Sequence, residues 1–243
     1  MAITPEGVAL TESHRQAQAV VATSLVAGLT VVWRAVDPTD LRGTLDVPLT
    51  AGVLLVQRYR AASAAAAQSY YHAFRRVEGV DGAADVALAP PPSDGEVRGL
   101  LLGAGVRGTL NSLARGDSAL TARENGLVKL AGSARRVVAG GGRDTILGAI
   151  LGDPKAIGYQ RVTDAKPCAF CSMIASRGIL GYDEQSAGFE AHGHCGCTAE
   201  PAFEGSTVNP RNARLRDAWQ ESTAGLGGTD ALNAFRRHLA GMN

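Results

Sequence analysis

Apolar residues recur every three or four positions through much of the first 150 residues, the period of helices that bury one face. Val21, Leu25, Leu29, Val32 and Val36 fall at spacings of four, four, three and four. They predict a helix over 5–36, started by Thr4-Pro5 and stopped by Asp37-Pro38. A second stripe, Val53, Val56, Arg60, Ser63, Ala67, Tyr70, Phe74 and Val77, predicts a helix over 49–77. Its middle, residues 61–67, is nearly all small, which lets a neighbouring helix approach closely and favours a tight hairpin with the first. At this spacing Tyr70, Tyr71 and Phe74 read as core, while His14 and His72, set among polar neighbours, read as solvated. Residues 79–95 contain three consecutive prolines and predict an extended linker.

A third helix is expected over 95–114, capped by Ser93 or Asp94 and stopped at Arg115-Gly116-Asp117. A fourth is expected over 118–138, with Leu120, Leu127, Leu130, Ala134 and Val137 on one side. Gly140-Gly141-Gly142 lacks the Gly-Lys-Ser/Thr ending of a phosphate loop and has no strand before it, so it reads as a hinge ahead of a short helix over 144–151. The pattern then changes. AIGYQRV at 156–162 alternates as a strand does. A helix is expected over 168–176 with Phe170 and Ile174 facing inward, then strands over 179–182 and 197–203, with Pro201 on a sheet edge. Helices over 211–223 and 229–239 close the chain.

The fold class expected is mainly α: long N-terminal helices, then a small α+β Cys/His module, then C-terminal helices. The expected divisions are a helical hairpin (1–78), a linker (79–95), a helical region (96–155), the Cys/His module (156–208) and the C-terminal helices (209–243).

Composition narrows the function. The formal net charge is +1, so no strong field draws the chain to nucleic acid or membrane. No apolar run is free of polar interruption over the length of a membrane span, and the start lacks the basic-then-apolar pattern of a signal peptide.

All four cysteines fall between Cys168 and Cys197. They form two knuckles, Cys168-x-x-Cys171 and His192-x-His194-Cys195-x-Cys197. Such clustering points to a metal, zinc above all, held by thiolate and imidazole. Spacing alone favours Cys168, Cys171 and Cys197 with either His192 or Cys195, because adjacent residues such as His194 and Cys195 point apart. Two disulfides, a redox Cys-x-x-Cys and plain buried thiols remain open as alternatives. The redox motif wants a βαβ context, whereas the region ahead of the module reads as helical. From Arg161 to Phe203 three basic residues face five acidic ones. A phosphate backbone would be repelled there, so a structural metal is the expectation.

The segment Arg161-Val-Thr-Asp164-Ala-Lys-Pro167-Cys168-Ala-Phe-Cys171, followed by Phe189-x-x-His192-x-His194-Cys195-x-Cys197, resembles the MuF-like minor head proteins of tailed bacteriophages. The resemblance covers about residues 160–203. It implies a minor capsid, or head morphogenesis, protein of the virion, present in the host cytoplasm during assembly and associated with portal or major capsid protein. It carries over Cys168, Cys171, His192, Cys195 and Cys197 as the conserved set and Asp164 as a structural acid; His194 departs from the pattern. Relatives are often labelled capsid maturation proteases, so proteolysis is the alternative. Ser172 or Ser186 with His192 or His194, or a Cys-His pair, would then have to form the catalytic unit, and none has a recognisable local signature. The arginines of the tail, Arg211, Arg214, Arg216, Arg236 and Arg237, are candidates for contact with packaged DNA.

Overall fold

The computed structural model describes residues 2, 4–164, 167–180, 189 and 191–241. Helix α1 (Pro5–Trp33) begins under a Thr4 cap, whose hydroxyl accepts the Gly7 N–H. A single turn, α2 (Leu41–Thr44), leads into α3 (Asp46–Val77). Pro48 lies in the first turn of α3, where its missing N–H has no partner to lose. The α1–α3 hairpin closes as the small residues predict. Gly28 faces Leu55, Thr11 meets Tyr70 at 2.8 Å, and Ser63 donates to Gln18 at 2.6 Å. By length and composition α1 could cross a membrane, but Leu25, Leu29 and Trp33 are buried in the protein core.

Residues 79–93 contain no helix. The segment is strapped to its neighbours. Gln68 and Arg60 on α3 donate to the carbonyls of Val86 and Pro90, and the Ala89 N–H reaches Thr145. Ser93 and Glu96 form a reciprocal capping box at α4 (Asp94–Leu101), worth about 1 kcal/mol. One π-helical turn, Leu102–Val106, joins α4 to α5 (Arg107–Leu113). Gly105 in that turn lies against the Trp33 indole, where a Cβ would come within 2.5 Å of the ring.

The expected hinge is absent. Residues 118–152 give one helix, α6 (Ala119–Gly152), capped by Ser118. The glycines are needed for proximity, not bending. A Cβ on Gly141 would stand 2.5 Å from the Arg60 carbonyl oxygen, and the Gly142 N–H donates to Ser63 Oγ at 3.0 Å. We expect Gly141→Ala to destabilise the chain by about 1–3 kcal/mol, since backbone rather than a flexible side chain must move. Urea denaturation measures this; a midpoint within error of the parent would contradict the close crossing.

Among the described residues three strands follow: β1 (Ala156–Val162), β2 (Ile179–Leu180) and β3 (Thr198–Phe203), in the order β2-β1-β3, all antiparallel. The expected extension to Tyr182 lies outside the described residues. Pro201 is on an edge strand, as expected. Helix α7 (Ala169–Ser176) lies between β1 and β2, and α8 (Pro210–Thr223) and α9 (Gly228–Gly241) pack on it through Ala175, Leu215, Ala218 and Phe235. The inward face of α7 differs from expectation. Ala169, Cys171, Ser172 and Ala175 are buried, while Phe170 and Ile174 are only partly covered. Small residues face in because α8 and the second knuckle approach closely.

One apolar cluster joins α1, α3, α4 and α6 through Leu29, Val56, Leu101 and Leu130. A second joins α3 and α6 to the sheet through Tyr71, Phe74, Ile146, Tyr159 and Phe203.

His14 is a correction. It is 4% exposed and stacks on Tyr70 with ring centroids 4.4 Å apart. Its polar neighbours lie on the other side of α1; at helical spacing His14 continues the face of Thr11 and Leu25. Burial lowers its pKa to about 4. The unfolded chain therefore binds this proton first, and stability falls as pH drops from about 6.5 to 4, by roughly 3 kcal/mol for this group. His14→Phe should flatten that part of the stability–pH curve. Parallel curves for the two proteins would refute this.

Candidate metal centre

The sheet register builds the site. Val162 pairs with Thr198, so the chain leaving β1 runs beside the chain entering β3. This brings residues 164–171 against 192–197. Asp164 fixes the approach, accepting the Gly196 N–H at 3.1 Å. Cys168 caps α7, its sulfur accepting the Cys171 N–H at 3.4 Å. Three residues on, Cys171 points its sulfur to the same end of the helix. The redox alternative is thus met in one local respect: a strand, not a helix, precedes Cys168, and Cys168 stands at a helix start.

The five expected donors come together in two groups. Cys168, Cys171 and His192 place their donor atoms within 4.8 Å of one another, and so do Cys171, Cys195 and Cys197. Cys171 belongs to both. All four cysteines are free. The Cys171 and Cys195 sulfurs are 3.6 Å apart, too far for a disulfide and close to the edge of a tetrahedron with metal–sulfur bonds of about 2.3 Å, roughly 3.8 Å. Cys168 Sγ and His192 Nε2 are 2.7 Å apart, a hydrogen bond that would have to widen for both to ligate one ion. Cys171, Cys195 and Cys197 are buried, Cys168 is half-buried and His192 is exposed. The donor set is soft and of the type that suits zinc or an iron–sulfur cluster.

Sequence reasoning missed two buried arginines that border the site. Arg143 on α6 donates to the carbonyls of Cys197 and Cys195, both at 2.8 Å. Arg161 on β1 reaches the Cys171 sulfur at 3.8 Å. Their guanidinium carbons lie 4.9 Å and 3.7 Å from the Phe189 ring centroid, within cation–π range. Arg143 follows the glycine triplet and carries no local signal. Arg161 lies in the quoted motif and could have been singled out as an alternating position on the strand that leads to Cys168. Together they offset the charge of thiolates in a dry site.

That charge is shared unevenly. Hydrogen bonds from Cys171 and Cys197, with Arg143 nearby, hold the Cys195 thiol well below its ordinary value. The same contacts with Cys195 and Cys197, reinforced by burial, push Cys171 up. Cys197 is pulled down by Cys171 but raised more by Cys195 and burial, to about 11. For Cys168 burial raises the value, and the Cys171 N–H and His192 together outweigh it.

The structure does not bring His194 to the cluster. Its backbone is left-handed, with φ of 65°, and its N–H donates to the Gly132 carbonyl. Ser172 is 1% exposed and its hydroxyl meets no hydrogen-bond partner, so no described histidine is placed to activate it. Ser186 lies outside the described residues.

No curated protein and no solved structure matches the chain. A family model described as VG15 protein matches residues 8–222, from the first helix through α8 and across the whole cysteine cluster. The chain belongs to the VG15 family, a viral protein family.

Proposed function

We propose that the chain is a minor capsid, or head morphogenesis, protein of a tailed bacteriophage, similar to the MuF-like proteins, whose Cys/His module is a structural zinc knuckle. The observation that carries this reading is the pair of donor groups sharing the buried Cys171, within a viral family match. Cys171, Cys195 and Cys197 would hold the ion from the buried side, with Cys168 or His192 as fourth ligand. Four protein ligands leave no open position, which is the mark of a structural site. The ion would staple a three-stranded sheet too small to be stable by burial alone. The helical surfaces would then bind portal or major capsid protein in the virion head, with no membrane involved, and the arginines of α8 and α9 would face packaged DNA.

Elemental analysis of the purified chain tests the knuckle, with free thiols titrated before and after chelation. One zinc per chain, with thiols released by the chelator, supports it; four free thiols and no metal would sink it. Crosslinking within purified particles tests the partners, and the virion reading fails if the chain is absent from them.

One observation favours the second reading, a capsid maturation protease. Cys168 at the N-terminus of α7 lies 2.7 Å from His192, the geometry of an activated thiol. If that reading were right, Cys168→Ala would abolish processing of capsid precursors and leave the metal content unchanged.

A further inference from the structure

Two sizeable clefts border the second knuckle, and their charges differ in availability. The larger, about 910 Å³, is lined by Arg60, Arg136, Arg143 and Asp144. Arg60 is paired with Asp144 at 3.0 Å, and Arg143 is engaged by the carbonyls of Cys195 and Cys197; Arg136 is exposed, but it shares the cleft with the Asp144 carboxylate and the apolar side chains of Val137, Phe170 and Phe189. The smaller, about 420 Å³, lies between α5, α6 and the knuckle, and among the described residues its lining contains no carboxylate. Arg107 and Asn111 come from α5, Lys129 and Ser133 from α6, and His194 from the knuckle. Arg107 and Lys129 are exposed, and among the described residues neither makes an ion pair. Backbone forms much of the rest, at Gly103, Gly108, Gly132 and Gly193.

We propose that this cleft binds a phosphate group. Its side chains offer two cations, Arg107 and Lys129, and neutral hydrogen-bond donors at Asn111 and Ser133, the chemistry that holds a phosphate. Among the described residues Ala104 is the lone apolar side chain lining it, so a peptide would find little to anchor it. His194 is the one non-glycine residue with positive φ among the described residues, in the left-handed region that histidine visits more readily than most side chains. Its ring lies on Gly132, where a Cβ would overlap the imidazole, so α6 and the knuckle are fitted to each other here. This accounts for a histidine beside the metal donors that does not join them.

The phosphate could belong to a nucleic-acid backbone or to a free phosphate compound, and the test separates these. Anisotropy of a labelled 20-base-pair duplex is followed at about 50–200 mM salt with the full chain, Arg107→Gln/Lys129→Gln, and Arg211→Gln/Arg214→Gln on α8. Inorganic phosphate is titrated separately, with amide NMR shifts at Gly132, Gly193 and His194 as readout. Two lost phosphate contacts should flatten the slope of log K against log salt by about 2 and weaken duplex binding at least about tenfold at low salt. That loss in the Arg107/Lys129 variant alone assigns the cleft to a phosphodiester backbone. Phosphate-induced shifts that the variant abolishes, without duplex binding, assign it to free phosphate. Neither response, or duplex binding that depends only on Arg211 and Arg214, overturns the proposal. Both changes lie on exposed helix positions outside the metal-donor groups, so unchanged zinc content keeps this result separate from the fate of the knuckle.

Discussion

Cys171→Ser is expected to abolish stoichiometric metal binding and to unfold the module while sparing the helical body. Cys171 is the one donor common to both groups, so its loss leaves each with two ligands. It is also 1% exposed, so a serine hydroxyl there would be buried beside Arg161 and the three other thiols. Structural zinc contributes about 10–16 kcal/mol to the folding of small zinc-dependent domains, more than a short sheet stores in apolar contact. Hydrogen exchange should therefore rise across β1, α7 and β3. It should change little in α1 and in the first half of α6, whose Leu29 and Leu130 belong to a separate apolar cluster. Helical circular dichroism should fall only modestly. Cys168→Ser should be milder, because Cys168 is half-buried and His192 can supply the same side of the ion. A Cys171→Ser protein that retained one zinc per chain and parental exchange in β3 would refute the shared-ligand arrangement.

The contrast between legible and illegible features follows from range. The stripe from Val53 to Phe74 is visible because a helix facing a core repeats locally, and nearly all its members are buried or half-buried in the structure. The cysteine cluster is legible because two knuckles of the residue types and spacing that metal chemistry favours stand out in one stretch of sequence, and the fold brings them together. Gly140-Gly141-Gly142 misleads because glycine serves both bending and close approach. The choice depends on Arg60 and Ser63, some 80 residues away. His14 misleads for a similar reason: only the position of Tyr70 shows that its side of α1 is covered. Arg143 reads as ordinary surface charge until the fold sets α6 against the second knuckle. Arg161 lies on the strand that leads to Cys168, and the fold shows its contact with Cys171.

The same reliance on distant partners makes Asp153 a sensitive position outside the module. It ends α6 and precedes β1, so it sets where the sheet leaves the helical body. Its carboxylate receives Arg75 through Nε at 2.7 Å and a second guanidinium nitrogen at 3.2 Å, Tyr71 at 2.9 Å and the Lys155 N–H at 3.0 Å. Asp153 and Arg75 are 3% and 5% exposed. Asp153→Ala leaves a buried guanidinium without its counter-charge, a change worth about 3–5 kcal/mol. Asp153→Asn keeps the shape and should lose less. Replacing both partners with apolar groups, as in Arg75→Met/Asp153→Leu, should recover part of the loss, since the uncompensated charge is gone. Acid should act on the same pair. Burial raises the Asp153 pKa, but the hydrogen bonds from Arg75, Lys155 and Tyr71 outweigh it and hold the carboxyl below its ordinary value. Its contribution is then fully present above about pH 4 and is lost as pH falls through the lower folded value, a window below that of His14. Urea titrations of the parent and the three variants at pH 7 and pH 3 would measure both effects. If Asp153→Ala and the double variant were equally destabilised, the loss would come from packing, and the buried ion pair would not be what joins α6 to the sheet.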